Sequence, residues 1–296
     1  MIVWAQALFD AVVAPFLEFP FMRRALVATL ALALGSGPIG CLLVLRRMSL
    51  VGDAMAHALL PGAAAGFLLA GLSLPAMSAG GFIAGLAVAF GAGVVSRRTA
   101  QREDASFAAF YLIALAAGVL MVSLRGSQVD LMHLLFGSVL AVDDLALLQI
   151  AVVTTLTLLA LALMYRPLVL ETLDPGFLRA VGGPGAWAHG LLLVLLVANL
   201  VSAFQAMGTL MAVGLMMLPA ASARFWVASL PGMAAVAAGL GALGGLAGLL
   251  LSYHAELPSG PCIVLVCGGL YLLSVLGGAR EGVLVRRWRD ARHLAA

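Results

Sequence analysis

Long apolar stretches separated by short clusters of charge recur from one end of this sequence to the other, and that alternation limits the possible folds more than any other feature. Roughly 20 apolar residues are enough for one helix to cross a bilayer. Inside lipid every backbone polar group must be paired within its own segment, so each such stretch reads as an α-helix. The candidate spans are 25–45, 51–71, 77–95, 106–124, 146–165, 186–206, 208–229, 232–252 and 260–278. Residues 1–22 are amphipathic and interrupted by Pro15 and Pro20, which suits a segment lying in the interface better than a crossing. The count therefore lies between eight and ten, with 8–9 favoured. Composition agrees: of 296 residues 64% are hydrophobic and 10% charged, against about 45–50% and about 25% in ordinary soluble domains. Disorder and a soluble enzyme core are excluded. The expected fold is an all-α, polytopic transmembrane helical bundle, read as a single domain over 1–296.

All 16 basic residues are arginine. A chain without lysine cannot carry an ordinary Walker A phosphate site, nor form a Schiff base. The net charge of +3 carries no message about nucleic acid, because arginines in a membrane protein mark cytoplasmic loops. They cluster at Arg46–Arg47, at Arg97, Arg98 and Arg102, at Arg166 with Arg179, and from Arg280 to Arg292. Nine crossings put all four clusters on one side and the C-terminal tail, 279–296, in the cytoplasm. The opposite loops then hold little beyond Arg125, with Arg23 and Arg24 as the misfit. Cys41, Cys262 and Cys267 sit in apolar stretches without a CxxC spacing and read as packing residues. Small-xxx-small pairs such as Gly62/Gly66, Gly81/Gly85, Gly241/Gly245 and Gly244/Gly248 indicate a closely packed bundle. The N-terminus lacks the basic start of a secretory signal and carries Asp10 and Glu18. There is no HExxH and no GxSxG, so an enzyme is disfavoured.

Ionisable residues inside spans are costly and tend to face a cavity or a partner. Asp53 and His57, in RRMSLVGDAMAHALLPG, lie four apart and share one helix face. A carboxylate beside an imidazole begins a site for a divalent transition metal. The same residues also suit a helix-start aspartate bonded to backbone and a histidine satisfied by a neighbouring helix. Asp130 and His133 in GSQVDLMHLLFGS form a second pair, read as metal-binding or as a polar re-entrant turn. His254 and Glu256 in SYHAELPSGP fall between the last two spans, where they either receive a cation or form a solvated turn. Glu103–Asp104 and Asp143–Asp144 read as solvated helix ends. The loop 166–184, YRPLVLETLDPGFLRAVGGP with its preceding tyrosine, is long, polar and arginine-bearing. Its amphipathic centre, Pro175 to Val181, offers Phe177 and Leu178 as anchors for a partner, or lies flat on the interface.

The string LRRMSLVGDAMAHALLPGAAAGF resembles the signature region of the membrane permeases of ATP-binding-cassette importers for zinc, manganese and iron. The resemblance continues through REDASFAAFYLIALAAGV, GSQVDLMHLLFGSVLAV, DPGFLRAVGGP, GTLMAVGLMMLPAASAR and SYHAELPSGPCIVLV, from about Phe21 to Gly278. It implies the type II importer fold, a homodimer, a cytoplasmic ATPase dimer in separate chains and an extracytoplasmic metal-binding delivery protein. It places the chain in the bacterial cytoplasmic (inner) membrane, in contact with lipid and not with nucleic acid. It makes the 166–184 loop the coupling region, with Asp174, Pro175, Phe177, Leu178, Val181 and Gly182 meeting the ATPase, and it favours metal binding by Asp53 and His57. No tightly bound cofactor is expected; the cargo is a divalent metal. A carboxylate and an imidazole suit several metals, and zinc is preferred here, with manganese or iron as the alternative. The alternative from another class is a cation-driven secondary carrier.

Overall fold

The computed structural model of the chain describes residue 6 and residues 9–71, 73–124 and 142–286. Among the described residues there is no strand, and eight helical segments are long and apolar enough to cross a membrane. A short helix α1 (Ala14–Glu18) leads into α2 (Pro20–Leu45). Then come α3 (Ser49–Ala58), α4 (Leu60–Ala70), α5 (Leu74–Arg98) and α6 (Glu103–Leu124). After α7 (Asp144–Leu163), two short helices follow, α8 (Tyr165–Leu173) and α9 (Pro175–Ala180). The chain closes with α10 (Gly185–Met207), α11 (Thr209–Ala223), α12 (Leu230–Ala255) and α13 (Ser259–Gly277). Proline in the first turn opens α2, α4, α5, α9 and α12, where its missing N–H would have had no helical partner anyway.

α2 and α10 form the centre, and α6 and α7 the periphery, with Leu112, Ile113, Leu156 and Leu159 turned outward. In lipid no hydrophobic force pulls helices together, so close packing and internal hydrogen bonds must do so. Both are present. A Cβ on Gly62 would collide with the backbone of Gly80, so α4 and α5 approach to near backbone contact; Gly40 has the same relation to the Met216 carbonyl across α2 and α11. Gly241 and Gly245 fit against Ala33 and Thr29 of α2, while Gly244 and Gly248 fit against Cys267 and Ile263 of α13. The small-xxx-small pairs therefore meet neighbours within one chain. Among the polar contacts, the Asn199 amide donates to Thr157 Oγ1 at 2.7 Å and to the Leu195 carbonyl at 2.9 Å, and the Thr154 hydroxyl donates to the Ala31 carbonyl at 3.0 Å. These bonds tie α2, α7 and α10 together.

Two expected spans differ in detail. The stretch 51–71 is two helices, α3 and α4, which meet at Leu59 because Pro61 supplies no amide to continue the first. The stretch 208–229 holds only the 15-residue α11, which at 1.5 Å per residue falls short of a hydrocarbon core of about 30 Å. It ends at Arg224, and the turn that follows is fastened to the end of α13 by the Trp226 indole N–H on Ser274 Oγ and the Arg280 amide on the Phe225 carbonyl. One of the two misplaced arginines gains a partner. Arg24 pairs with Asp144 at 2.9 Å, at the end of the bundle opposite Arg46, Arg97 and Arg179.

Candidate functional site

α3 is buried on most of its surface: Val51, Gly52, Ala54, Met55, Ala56 and Ala58 are all enclosed. Its remaining face presents Asp53 and His57. Nε2 of His57 lies 3.8 Å from Oδ1 of Asp53, with the two side chains 32% and 65% exposed respectively. The i,i+4 spacing therefore does bring the pair together. The capping alternative does not hold, because α3 starts after Met48, makes no side-chain cap, and carries Asp53 in its interior. Both side chains line a cleft of about 350 Å³, completed by Thr209, Leu210, Val213 and Gly214 of α11 and Val264 of α13. Tyr111 of α6 stands behind the imidazole with ring centres 6.5 Å apart. Among the described residues, no group of three or more His, Cys, Asp or Glu side chains is placed to hold a metal. One chain thus offers an anionic oxygen and an imidazole nitrogen in an otherwise largely apolar cleft. That is half of a coordination shell or less.

The other expected ligands lie elsewhere. His254 sits at the end of α12, where Nε2 is 2.8 Å from the carbonyl oxygen of Ala11. A neutral imidazole donating from Nε2 keeps only Nδ1 as an acceptor, and Tyr253 packs edge-on against the same ring. Glu256 caps α12 in a left-handed conformation, φ 55°. Neither residue lines the Asp53 cleft. Asp130 and His133 fall outside the described residues.

The region 166–184 folds into α8 and α9 with a sharp corner between them. Asp174 accepts a hydrogen bond from the Phe177 amide at 2.8 Å, Pro175 begins α9, and Arg179 Nε donates back to the Pro175 carbonyl. Gly182, at φ 68°, lets the chain reverse, and the Gly183 amide closes on the Leu178 carbonyl at 2.8 Å. The two expected anchors separate here. Phe177 is half exposed, with Val181 beside it, but Leu178 is 3% exposed and packs on Gly183 and Gly185. Leu178 therefore holds α9 to the bundle. The outward apolar surface is extended instead by Leu173 and by Trp187, which is 79% exposed at the start of α10. Trp187 was legible only as a lone aromatic in PGAWAHG.

The acidic helix ends also divide. Asp143 caps α7 by accepting from the Ala146 amide at 2.8 Å, and Asp144 meets Arg24. Glu103 is not a solvated end: its Oε1 lies 3.2 Å from Nε2 of the buried His189.

Residues 18–278 match the ABC 3 transport family. The chain belongs to this family. It is 35% identical over 277 residues to the manganese transport system membrane protein MntC of Halalkalibacterium halodurans, covering 93% of this chain and 94% of that one. It is 34% identical over 263 residues to the manganese import system permease protein ScaB of Streptococcus parasanguinis, covering 87% and 90%. Among solved structures, PsaBC from Streptococcus pneumoniae in complex with Fab superposes with a TM-score of 0.80 at 30% identity, over 91% of this chain and 96% of that one. The expected fold is the one present, an all-α type II importer permease embedded in the membrane. As a member of the ABC 3 family the chain is a transport component.

Proposed function

We propose that this chain is the permease of an ATP-driven manganese importer in the bacterial cytoplasmic membrane. The observation that carries the reading is the Asp53–His57 pair on a cleft between α3, α11 and α13, in a member of a family whose relatives are named for manganese transport. Sequence alone favours zinc; the relatives' names support the manganese alternative instead. Carboxylate oxygen suits manganese well, and a single imidazole excludes neither metal.

Two side-chain ligands do not satisfy a dication. A second copy of the chain, related by a two-fold axis, would supply a second pair, giving a site tight enough to receive the ion and incomplete enough to release it. Asp53 would offset cation charge as water is stripped away, and His57 would replace part of the hydration shell. His254 and Glu256 would lie in a turn at the outer face, while Asp130 and His133 lie outside the described residues. An extracytoplasmic binding protein would deliver the ion at that face. The arginine-rich end would face the cytoplasm with the C-terminal tail. There Asp174, Pro175, Phe177, Val181 and Gly182 would meet a separate ATPase dimer, with Leu178 supporting them from beneath. Residues 1–296 act as one permease domain, with the segment 1–22 at the interface.

The test is uptake by the complete transporter, permease with its ATPase and binding protein, in proteoliposomes. Manganese(II) should enter only with ATP and binding protein present, and zinc(II) supplied alone should enter far more slowly. ATP-dependent zinc uptake with no manganese uptake would restore zinc. Uptake driven by an ion gradient without ATP would replace the importer with a secondary carrier.

A further inference from the structure

Not all charged side chains at the arginine-rich end face water. Glu171 of α8 is buried, and its Oε1 lies 3.8 Å from Nη2 of Arg46, the residue that ends α2. Each side chain keeps only 11% of its accessible surface, while the adjacent Arg47 is exposed. Glu103, Arg97 and His189 complete the cluster, so the ends of α2, α5, α6, α8 and α10 converge on it. Burial pulls the Arg46 guanidinium below its ordinary range; Glu103 and Glu171 oppose that shift, and Arg97 adds to it.

A buried ion pair is a weak source of stability, since desolvation offsets much of its attraction. Its mechanical consequence is larger, because the two helices cannot move apart without separating charges out of water. Along the chain, Arg46 is joined to α3 by two residues only. Arg47 is left-handed at φ 58°, and the Met48 amide donates to the Leu43 carbonyl at 2.9 Å before Ser49 opens α3. That link is short and fixed by hydrogen bonding. On the other side, Glu171 stands three residues before Asp174, which caps α9. Glu171 and Leu178 also meet at one point: a Cβ on Gly185 would lie 2.6 Å from Glu171 Oε2 and 3.5 Å from Leu178 Cδ2. Gly185 is the first residue of α10, so the carboxylate also gains from that helix's positive end. Apolar packing between α8 and α2 is loose by comparison. A cleft of about 200 Å³ opens there, lined by Pro38, Leu42, Tyr165, Leu168, Leu230 and Pro231.

We propose that the Arg46–Glu171 pair is the link by which displacement of α8–α9 reaches α3 and the Asp53–His57 pair. Both are positioning residues and touch no substrate. The inference rests on the reading of α9 as the element that meets the ATPase.

The experiment measures manganese(II) transported per ATP hydrolysed by the complete transporter in proteoliposomes. Neutralising both partners together, Arg46→Gln with Glu171→Gln, leaves no unpaired buried charge, so the complex should assemble. Its ATPase rate should persist, while manganese moved per ATP falls roughly tenfold, within the range of couplings between distant sites. Arg46→Lys, which keeps the charge, should retain most of the coupling. A neutral pair that transports per ATP like the unmodified protein overturns the proposal. So does one that loses assembly and transport in proportion, since the pair then serves the fold alone. Phe177→Asp separates this from the reading beneath it: if that variant keeps the ATPase bound and coupled, the docking role of α9 fails. If it loses the ATPase while the neutral pair stays coupled, only the Arg46–Glu171 link fails.

Discussion

Among the described residues, Asp53 is the one acidic side chain lining the cleft between α3, α11 and α13, and His57 is its companion one turn further on. At 4 Å and an effective dielectric of about 20, a unit charge attracts each unit of cation charge by about 4 kcal/mol. Asp53 is largely exposed, so solvent screens most of that attraction. Even a residual loss of about 1.4 kcal/mol is tenfold in binding. Asp53→Asn keeps the shape and removes the charge, and His57→Ala removes the nitrogen without disturbing a helix. Each should cut manganese uptake per assembled complex by roughly tenfold or more, with expression and ATPase association unchanged. If both variants transport at the unmodified rate per complex, the pair is not in the ion's path. His254→Ala should act differently. It releases the Ala11 carbonyl, so it should loosen the N-terminal segment, seen as faster proteolysis before Pro20, with uptake changed less than by either cleft substitution.

At the scale of the helix, α9 is a six-residue piece made possible by Asp174 at its start and Gly182 after its end. Too short to be stable alone, it is held by Leu178. Leu178→Asp would bury a carboxylate among Gly183, Gly185 and Glu171, and should reduce the amount of folded permease recovered in detergent. Phe177→Asp changes an exposed side chain, so it should leave permease yield intact and remove the ATPase from affinity purification. Equal loss of yield for both would mean that Phe177 also belongs to the internal packing. The difference was not legible in the sequence. Phe177 and Leu178 are neighbours with similar hydropathy, and in so short a helix periodicity cannot say which one faces the bundle. The Asp53–His57 pair was legible because i,i+4 spacing on a helix decides adjacency locally. The Arg46–Glu171 contact was not, because it joins residues far apart in the chain and only the tertiary packing of α8 brings them together. The break at Leu59 was half legible: Pro61 announced a disturbance without saying that one expected span would become two helices.

For the whole molecule, hydropathy located nearly every span because lipid imposes one length and one secondary structure on all of them. At α11 it located the passage but not the helix: the crossing is made by a 15-residue helix, buried against α2, α12 and α13, together with the turn that follows it. Orientation depends on the arginines. α2, α5, α8 and α9 put Arg46, Arg97, Arg166 and Arg179 at or near one end, and Arg24 at the other is partly neutralised by Asp144. On the positive-inside rule, α9 would lie in the cytoplasm. The native cysteines Cys41, Cys262 and Cys267 are all buried, so an impermeant maleimide should find little background. Two exposed positions at opposite ends serve as reporters: Ala180→Cys at the end of α9 and Leu257→Cys in the turn between α12 and α13. In intact spheroplasts Leu257→Cys should label and Ala180→Cys should not, and inverted vesicles should reverse the pattern. Labelling of Ala180→Cys from outside would put α9 on the wrong side of the membrane for a cytoplasmic ATPase, and the proposed coupling route with it.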